Sequence, residues 1–253
     1  MDENVKENPV DIEIRDPSKR NFLKAMSVVA VAAAVGGVGR GLVQNIIPKD
    51  VGITGFPSLT LVNSASGQPV STSDIKVNDP SVVLFEYPLQ GEPNFLLRMG
   101  DSSNRDVEVK SVNVSVPSSG KKFQSPGGVG PYKSVVAASA ICEHLGCVPP
   151  MIHFYKPGSS IPGTSYSGAS NKGFVHCNCH GSTYDPLNGF GILSGPTQKP
   201  LPNIVLNYDS TSDTYKAVSM VGPTIYGQTD DLKGNSPLSS DTQTQVSNSG
   251  TPK

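Results

Sequence analysis

Apolar residues follow three regimes along this chain. Residues 1–20 are polar with mixed charge, an apolar stretch runs from Ala25 to Gly39, and beyond it apolar residues come in short runs bounded by Gly, Pro, Asn or Asp. No segment after residue 50 sustains the three-to-four-residue spacing of an amphipathic helix, so the short runs predict strands. The clearest are 81–86, 95–99, 107–116, 135–141, 173–176, 204–208 and 215–220. The apolar phase shifts between Val109 and Val112, which predicts a bulge, and 209–213 reads as the hairpin loop joining the last two strands. After Tyr226 the chain turns polar, with Ser, Thr, Gln, Asn and Asp dominating to Lys253, a composition expected to be disordered or loosely draped. The division that follows is 1–20, 21–47, a β domain over 48–222 long enough for its own core, and a tail over 223–253.

The apolar stretch is interrupted by Arg40, which leaves 15 residues where a membrane span needs about 20. If Arg40 reaches the interface, the helix extends through Ile46 and Ile47 to Pro48. We read 21–47 as one uncleaved signal-anchor helix, with Lys19, Arg20 and Lys24 on the cytoplasmic side. A cleaved signal peptide is the rival. Ser18-Lys19-Arg20-Asn21-Phe22-Leu23-Lys24 resembles a twin-arginine export signal with Lys in the first Arg position. Gly36, Gly37, Gly39 and Gly41 suit close helix packing or a hinge.

Net charge is −1 and charged residues are 16% of the chain, against roughly 25% in typical domains. No basic face for nucleic acid is implied. Sparse charge among many Ser, Thr and Asn would suit a surface bathed in acid. Asn113-Val114-Ser115 matches the glycosylation sequon.

All four cysteines and two of the four histidines lie in two short segments, Cys142-Glu143-His144-Leu145-Gly146-Cys147 and Cys177-Asn178-Cys179-His180-Gly181-Ser182-Thr183-Tyr184-Asp185. Each has one thiolate and one imidazole at close spacing, plus a further cysteine. Two thiolates and two imidazoles can hold a [2Fe–2S] cluster with sulfur on one iron and nitrogen on the other. The same residues could hold one tetrahedral zinc ion, and two ordinary disulfides in an exported protein would leave both histidines without a role. His153 and His176 fit no motif position, and His176 reads as a packing or surface histidine.

The two segments resemble the paired cluster-binding loops of Rieske iron–sulfur proteins, C-T-H-L-G-C and C-P-C-H-G-S-x-Y-D, a match of about fifteen residues that is nearest to the high-potential subunit of cytochrome bc-type complexes. The resemblance implies an all-β fold: an antiparallel β-sandwich with a small inserted cluster-binding subdomain over 141–202. It implies one [2Fe–2S] cluster, with Cys142 and Cys177 on the buried iron and His144 and His180 on the outer one. Cys147 and Cys179 would form a disulfide tying the loops together. Ser182 and Tyr184 would donate hydrogen bonds to cluster and ligand sulfur, which stabilises the reduced form and raises the potential. Replacing two thiolates by neutral imidazoles takes the oxidised site from about −2 to about zero net charge, in a family range of roughly −150 to +300 mV.

Several positions depart from the family pattern. Glu143 stands where Thr is usual, placing negative charge beside the cluster and lowering its potential. Asn178 replaces a common Pro. The stretch 148–172, rich in Pro, Gly and Ser, reads as an insertion, a lid or docking surface. Ser194-Gly195-Pro196-Thr197-Gln198-Lys199-Pro200-Leu201-Pro202 resembles the Pro loop that covers the cluster, with Thr197-Gln198-Lys199 as a departure; a plain turn is the alternative. The implied function is electron transfer from quinol, with His180 or His144 taking a proton from it. Leu145 would touch the quinone pocket, and residues 40–48 would tether a head on the outer face of the membrane. The implied partners are a cytochrome b-type subunit and a downstream cytochrome or copper protein. The small subunit of another exported oxidoreductase, of the arsenite oxidase kind, is the runner-up.

Overall fold

The computed structural model describes residues 56–161, 172–226, 238 and 241–252. Among them there is no α-helix, and none long and apolar enough to cross a membrane; the anchor and export signal expected over 18–47 lie outside the described residues.

The fold is all-β. Seven strands close into a barrel: β1 (Leu59–Asn63), β2 (Val83–Glu86), β3 (Pro93–Arg98), β6 (Val135–Ser139), β11 (Asn203–Asp209), β12 (Thr214–Val221) and β13 (Gln243–Asn248). Closure removes the exposed edges that two open sheets would leave, so a barrel stands where the expectation was a sandwich of two sheets. One pairing is not antiparallel: β13 runs parallel to β1 and antiparallel to β2. The polar tail was expected to be loose. Instead β13 completes the barrel, Thr244 hydrogen-bonds to the Glu86 carbonyl, and Leu238 is buried in the barrel core. Backbone pairing, with β1 over Gln243–Val246 and with β2 at Ser247 and Asn248, holds a strand that has almost no apolar residues.

β6 explains how the rest is attached. Every residue of Val135-Val136-Ala137-Ala138-Ser139 is buried, because the strand lies between two cores. Val135 and Ala137 face the barrel interior with Leu59, Phe85 and Tyr215. Val136 and Ala138 join Phe95 and Leu97 of β3 in a second core. Alternate residues pointing to opposite faces thus turn a uniformly apolar run into a shared wall.

Beyond that wall stands a four-stranded antiparallel sheet, in the order β10 (Gly191–Ser194), β9 (Thr183–Asp185), β8 (Phe174–Cys177) and β7 (Ile152–Tyr155). Part of the stretch expected as an inserted lid therefore supplies the edge strand β7, whose Ile152 and Phe154 are buried in the second core. A ribbon of β4 (Asn113–Val116) and β5 (Lys121–Gln124) packs Val114, Val116 and Phe123 against Val221 of the barrel. Only the last four residues of the strand expected over 107–116 join a ladder. At Val112 the backbone N–H is satisfied by the Ser125 hydroxyl, and register shifts fall instead in β11, between Val205 and Leu206, and in β10, between Ile192 and Ser194. The hairpin over 209–213 is present, with the Asp209 carboxylate accepting from the Thr211 backbone and the Ser212 hydroxyl.

Candidate metal centre

The two cysteine–histidine segments leave strands that the second core holds rigid. One follows β6 and the other follows β8, so both loops start from a fully buried strand. Each loop is closed on itself by backbone hydrogen bonds. In the first, the Cys142 N–H donates to the Cys147 carbonyl and the Gly146 N–H to the Cys142 carbonyl. In the second, the Cys177 N–H donates to the Ser182 carbonyl and the Gly181 N–H to the Cys177 carbonyl. A disulfide joins Cys147 to Cys179 across the loops.

Cys142 and Cys177 are free thiols and almost completely buried. A hydrogen bond from Cys177 pulls the Cys142 thiol down to about 5 against the opposing effect of burial; Tyr184, the His144 backbone N–H and Ser182 add to the lowering. The same bond, then burial, pushes Cys177 up. The Tyr184 hydroxyl lies 3.4 Å from Cys142 Sγ and accepts from the Glu143 N–H at 3.2 Å. Burial first, and the charge at Cys142 next, raise the phenol. It therefore stays protonated and donates to sulfur, in a relay from Glu143 N–H through Tyr184 Oη to Cys142 Sγ.

His144 and His180 sit at the loop tips with ring centroids 5.0 Å apart, nearly perpendicular. His180 is exposed and His144 half-buried. His144 Nδ1 and Ser182 Oγ are buried with no well-formed hydrogen bond. Buried polar atoms left in that state cost free energy unless something occupies the space beside them, so both fit a bound group. The donor set also discriminates between metals. Donors of one tetrahedral zinc lie within ~4 Å of one another, yet among the described residues the only three metal-binding side chains gathered within 4.8 Å are Cys147, Cys177 and Cys179, two of which are spent in the disulfide. Cys142, Cys177, His144 and His180 form no such compact group, and two thiols with two imidazoles suit a binuclear centre.

The Pro loop packs on the second cluster loop. At Gly195, whose φ is +92°, a Cβ would come within 2.4 Å of the Gly181 carbonyl oxygen and 2.5 Å of Ser182 Cα. Thr197, the first of the three departures from the family pattern, is buried and its hydroxyl reaches Tyr184; nothing in the local sequence signals that contact. His176 is buried and bonded to the Thr183 hydroxyl at 2.8 Å, as expected for a packing histidine. Burial, then His153 across the β7–β8 pair, lowers it to about 4, so it stays neutral. Around the histidines, Leu145, Val148 and Met151 of the same stretch are exposed.

Residues 103–205 match the Rieske [2Fe-2S] domain family. Over 196 residues the chain is 28% identical to the ubiquinol-cytochrome c reductase iron-sulfur subunit of Allochromatium vinosum, covering 76% of this chain and 87% of that one. Among solved structures, the soluble domain of the Rieske protein II (soxF) from Sulfolobus acidocaldarius aligns with a TM-score of 0.48 and 25% identity, covering 76% of this chain and 90% of that one.

Proposed function

From a chain that carries a Rieske [2Fe–2S] domain, we propose an electron-transfer subunit of a quinol-oxidising, cytochrome bc-type complex, anchored through 21–47 with its head on the outer face of the membrane. A Rieske domain binds a [2Fe–2S] cluster; here Cys142 and Cys177 would hold one iron and His144 and His180 the other. When bound, the cluster supplies a one-electron acceptor whose reduction makes its imidazoles more basic.

The chain's own residues do the rest. The exposed His180 accepts a hydrogen bond from a quinol hydroxyl and then its proton, with His144 as second choice. The relay through Tyr184 stabilises negative charge on sulfur. Leu145 lines the docking face with an exposed apolar side chain. The disulfide keeps the loops and their imidazoles together. Residues 40–48 would let the head move between quinol and a downstream cytochrome or copper protein.

One observation carries this reading: two buried free thiols backed by a phenol donor lie behind two imidazoles that include an exposed one. Similarity to a subunit named for ubiquinol oxidation supports it. The test is an EPR-monitored redox titration of purified membranes at several pH values. The potential should fall with pH above the histidine pKa of the oxidised state, and a b-type haem partner should co-purify. A potential independent of pH through the alkaline range refutes the histidine role. A molybdenum partner would instead assign the chain to an arsenite-oxidase-like complex.

A further inference from the structure

Between Cys142 and His144 lies a carboxylate that the family pattern does not place there, and its contacts are not confined to the cluster loop. The Glu143 side chain is completely buried. Its Oε1 accepts from the Tyr226 backbone N–H at 2.9 Å, and Lys199 Nζ of the Pro loop stands 3.9 Å from Oε2. Its own N–H is the donor that orients Tyr184.

The segment it grips leaves the barrel at the end of β12. Ile225 is buried in the barrel core, and the next residue, Tyr226, lays its ring against the first cluster loop. A Cβ on Gly146 would meet Tyr226 Cδ1 at 2.7 Å, and Gly146 has φ +77°. The ring therefore occupies the one side of the loop that only glycine leaves open. Residues 222–226 form a strap whose last two residues are both held, Ile225 by the barrel core and the Tyr226 N–H by a carboxylate standing between two ligand positions.

A buried ion pair is weak evidence of stabilisation, since desolvation offsets the attraction. Position and charge are the properties that a buried glutamate supplies here and an apolar residue would not. We propose that Glu143 is a positioning residue that fastens the strap across the first cluster loop and sets the charge beside the cluster. This rests on the cluster assignment and not on the quinol reading.

The experiment compares Glu143→Gln, Glu143→Ala and Tyr226→Ala in the full-length protein by two readouts: the EPR-detected midpoint potential and amide hydrogen exchange at Tyr226. Gln keeps an oxygen acceptor but removes the charge; Ala removes both. Both Glu143 variants should favour the reduced cluster by about tenfold, which is ~59 mV upward for one electron. Exchange at Tyr226 should rise about fivefold or more in Glu143→Ala and stay within about twofold of the parent in Glu143→Gln, because the acceptor of its N–H is lost only in the first. Tyr226→Ala should speed cluster release while leaving the potential nearly unmoved. An unmoved potential in Glu143→Gln, or unmoved Tyr226 exchange in Glu143→Ala, overturns the proposal. If the parent shows no cluster signal, the cluster assignment fails, while exchange at Tyr226 still decides the strap.

Discussion

Tyr184→Phe tests the site most directly. The ring is fully buried and Phe fills the same space, so no cavity opens. What goes is one hydroxyl, 3.4 Å from Cys142 Sγ. A hydrogen bond to a charged group contributes about 1.5–3 kcal/mol, but only the part that differs between oxidised and reduced cluster moves the potential. At this long S···O distance about 1 kcal/mol of difference is reasonable, which is roughly 40 mV for one electron. The donor favours the more negative, reduced state, so its loss lowers the potential. Mediated titration followed by EPR or visible circular dichroism measures the shift. The pH dependence should survive, since both imidazoles are untouched. Stability should fall by about 1–3 kcal/mol, because the Glu143 N–H loses its acceptor in a buried place. A potential unchanged or raised in the folded variant would show that the phenol does not donate to the site.

Two further outcomes follow from the loops and the barrel. Cys147→Ser frees a crosslink spanning 32 positions, for which the chain-entropy treatment gives about 3–4 kcal/mol; denaturant unfolding of the cluster-free protein should show a loss of that order, and bleaching of the loaded protein should speed up. For pH, Arg98 clasps Asp106 with two nitrogen–oxygen bonds of 2.7 and 2.8 Å and holds its carboxyl below the ordinary value, burial opposing and Ser134 assisting. The stability this gives is complete above the unfolded carboxylate value, near 3.9, and is lost as pH falls through the lower folded value. Circular dichroism melts should therefore hold steady down to about pH 4 and decline below it, and Asp106→Asn should flatten that decline.

Legibility in the sequence varied with what held each element. β6, β11 and β12 showed as apolar runs because their side chains are what bury them. The cysteine and histidine spacing exposed both cysteine–histidine loops, and the resemblance to Rieske proteins implied the pairing of Cys147 with Cys179 that the structure contains. β13 was hidden: Gln243-Thr244-Gln245-Val246-Ser247-Asn248 buries only Thr244 fully and is held by backbone pairing to two neighbours. β7 was masked by the prolines and glycines around Ile152–Tyr155. Glu143 was visible as a departure, but its grip on Tyr226 spans 83 positions and leaves no local trace.

The parallel partnership of Thr60 with Gln243 also bears on how the molecule is made. During synthesis the amino-terminal strand leaves the ribosome long before its neighbour exists. Through that interval two strand margins stand open, inviting association with other chains, and ring closure must then bring distant parts together at considerable entropic expense. A holding chaperone, or rapid completion of translation, would matter more to the yield of this protein than the strength of any single contact within it.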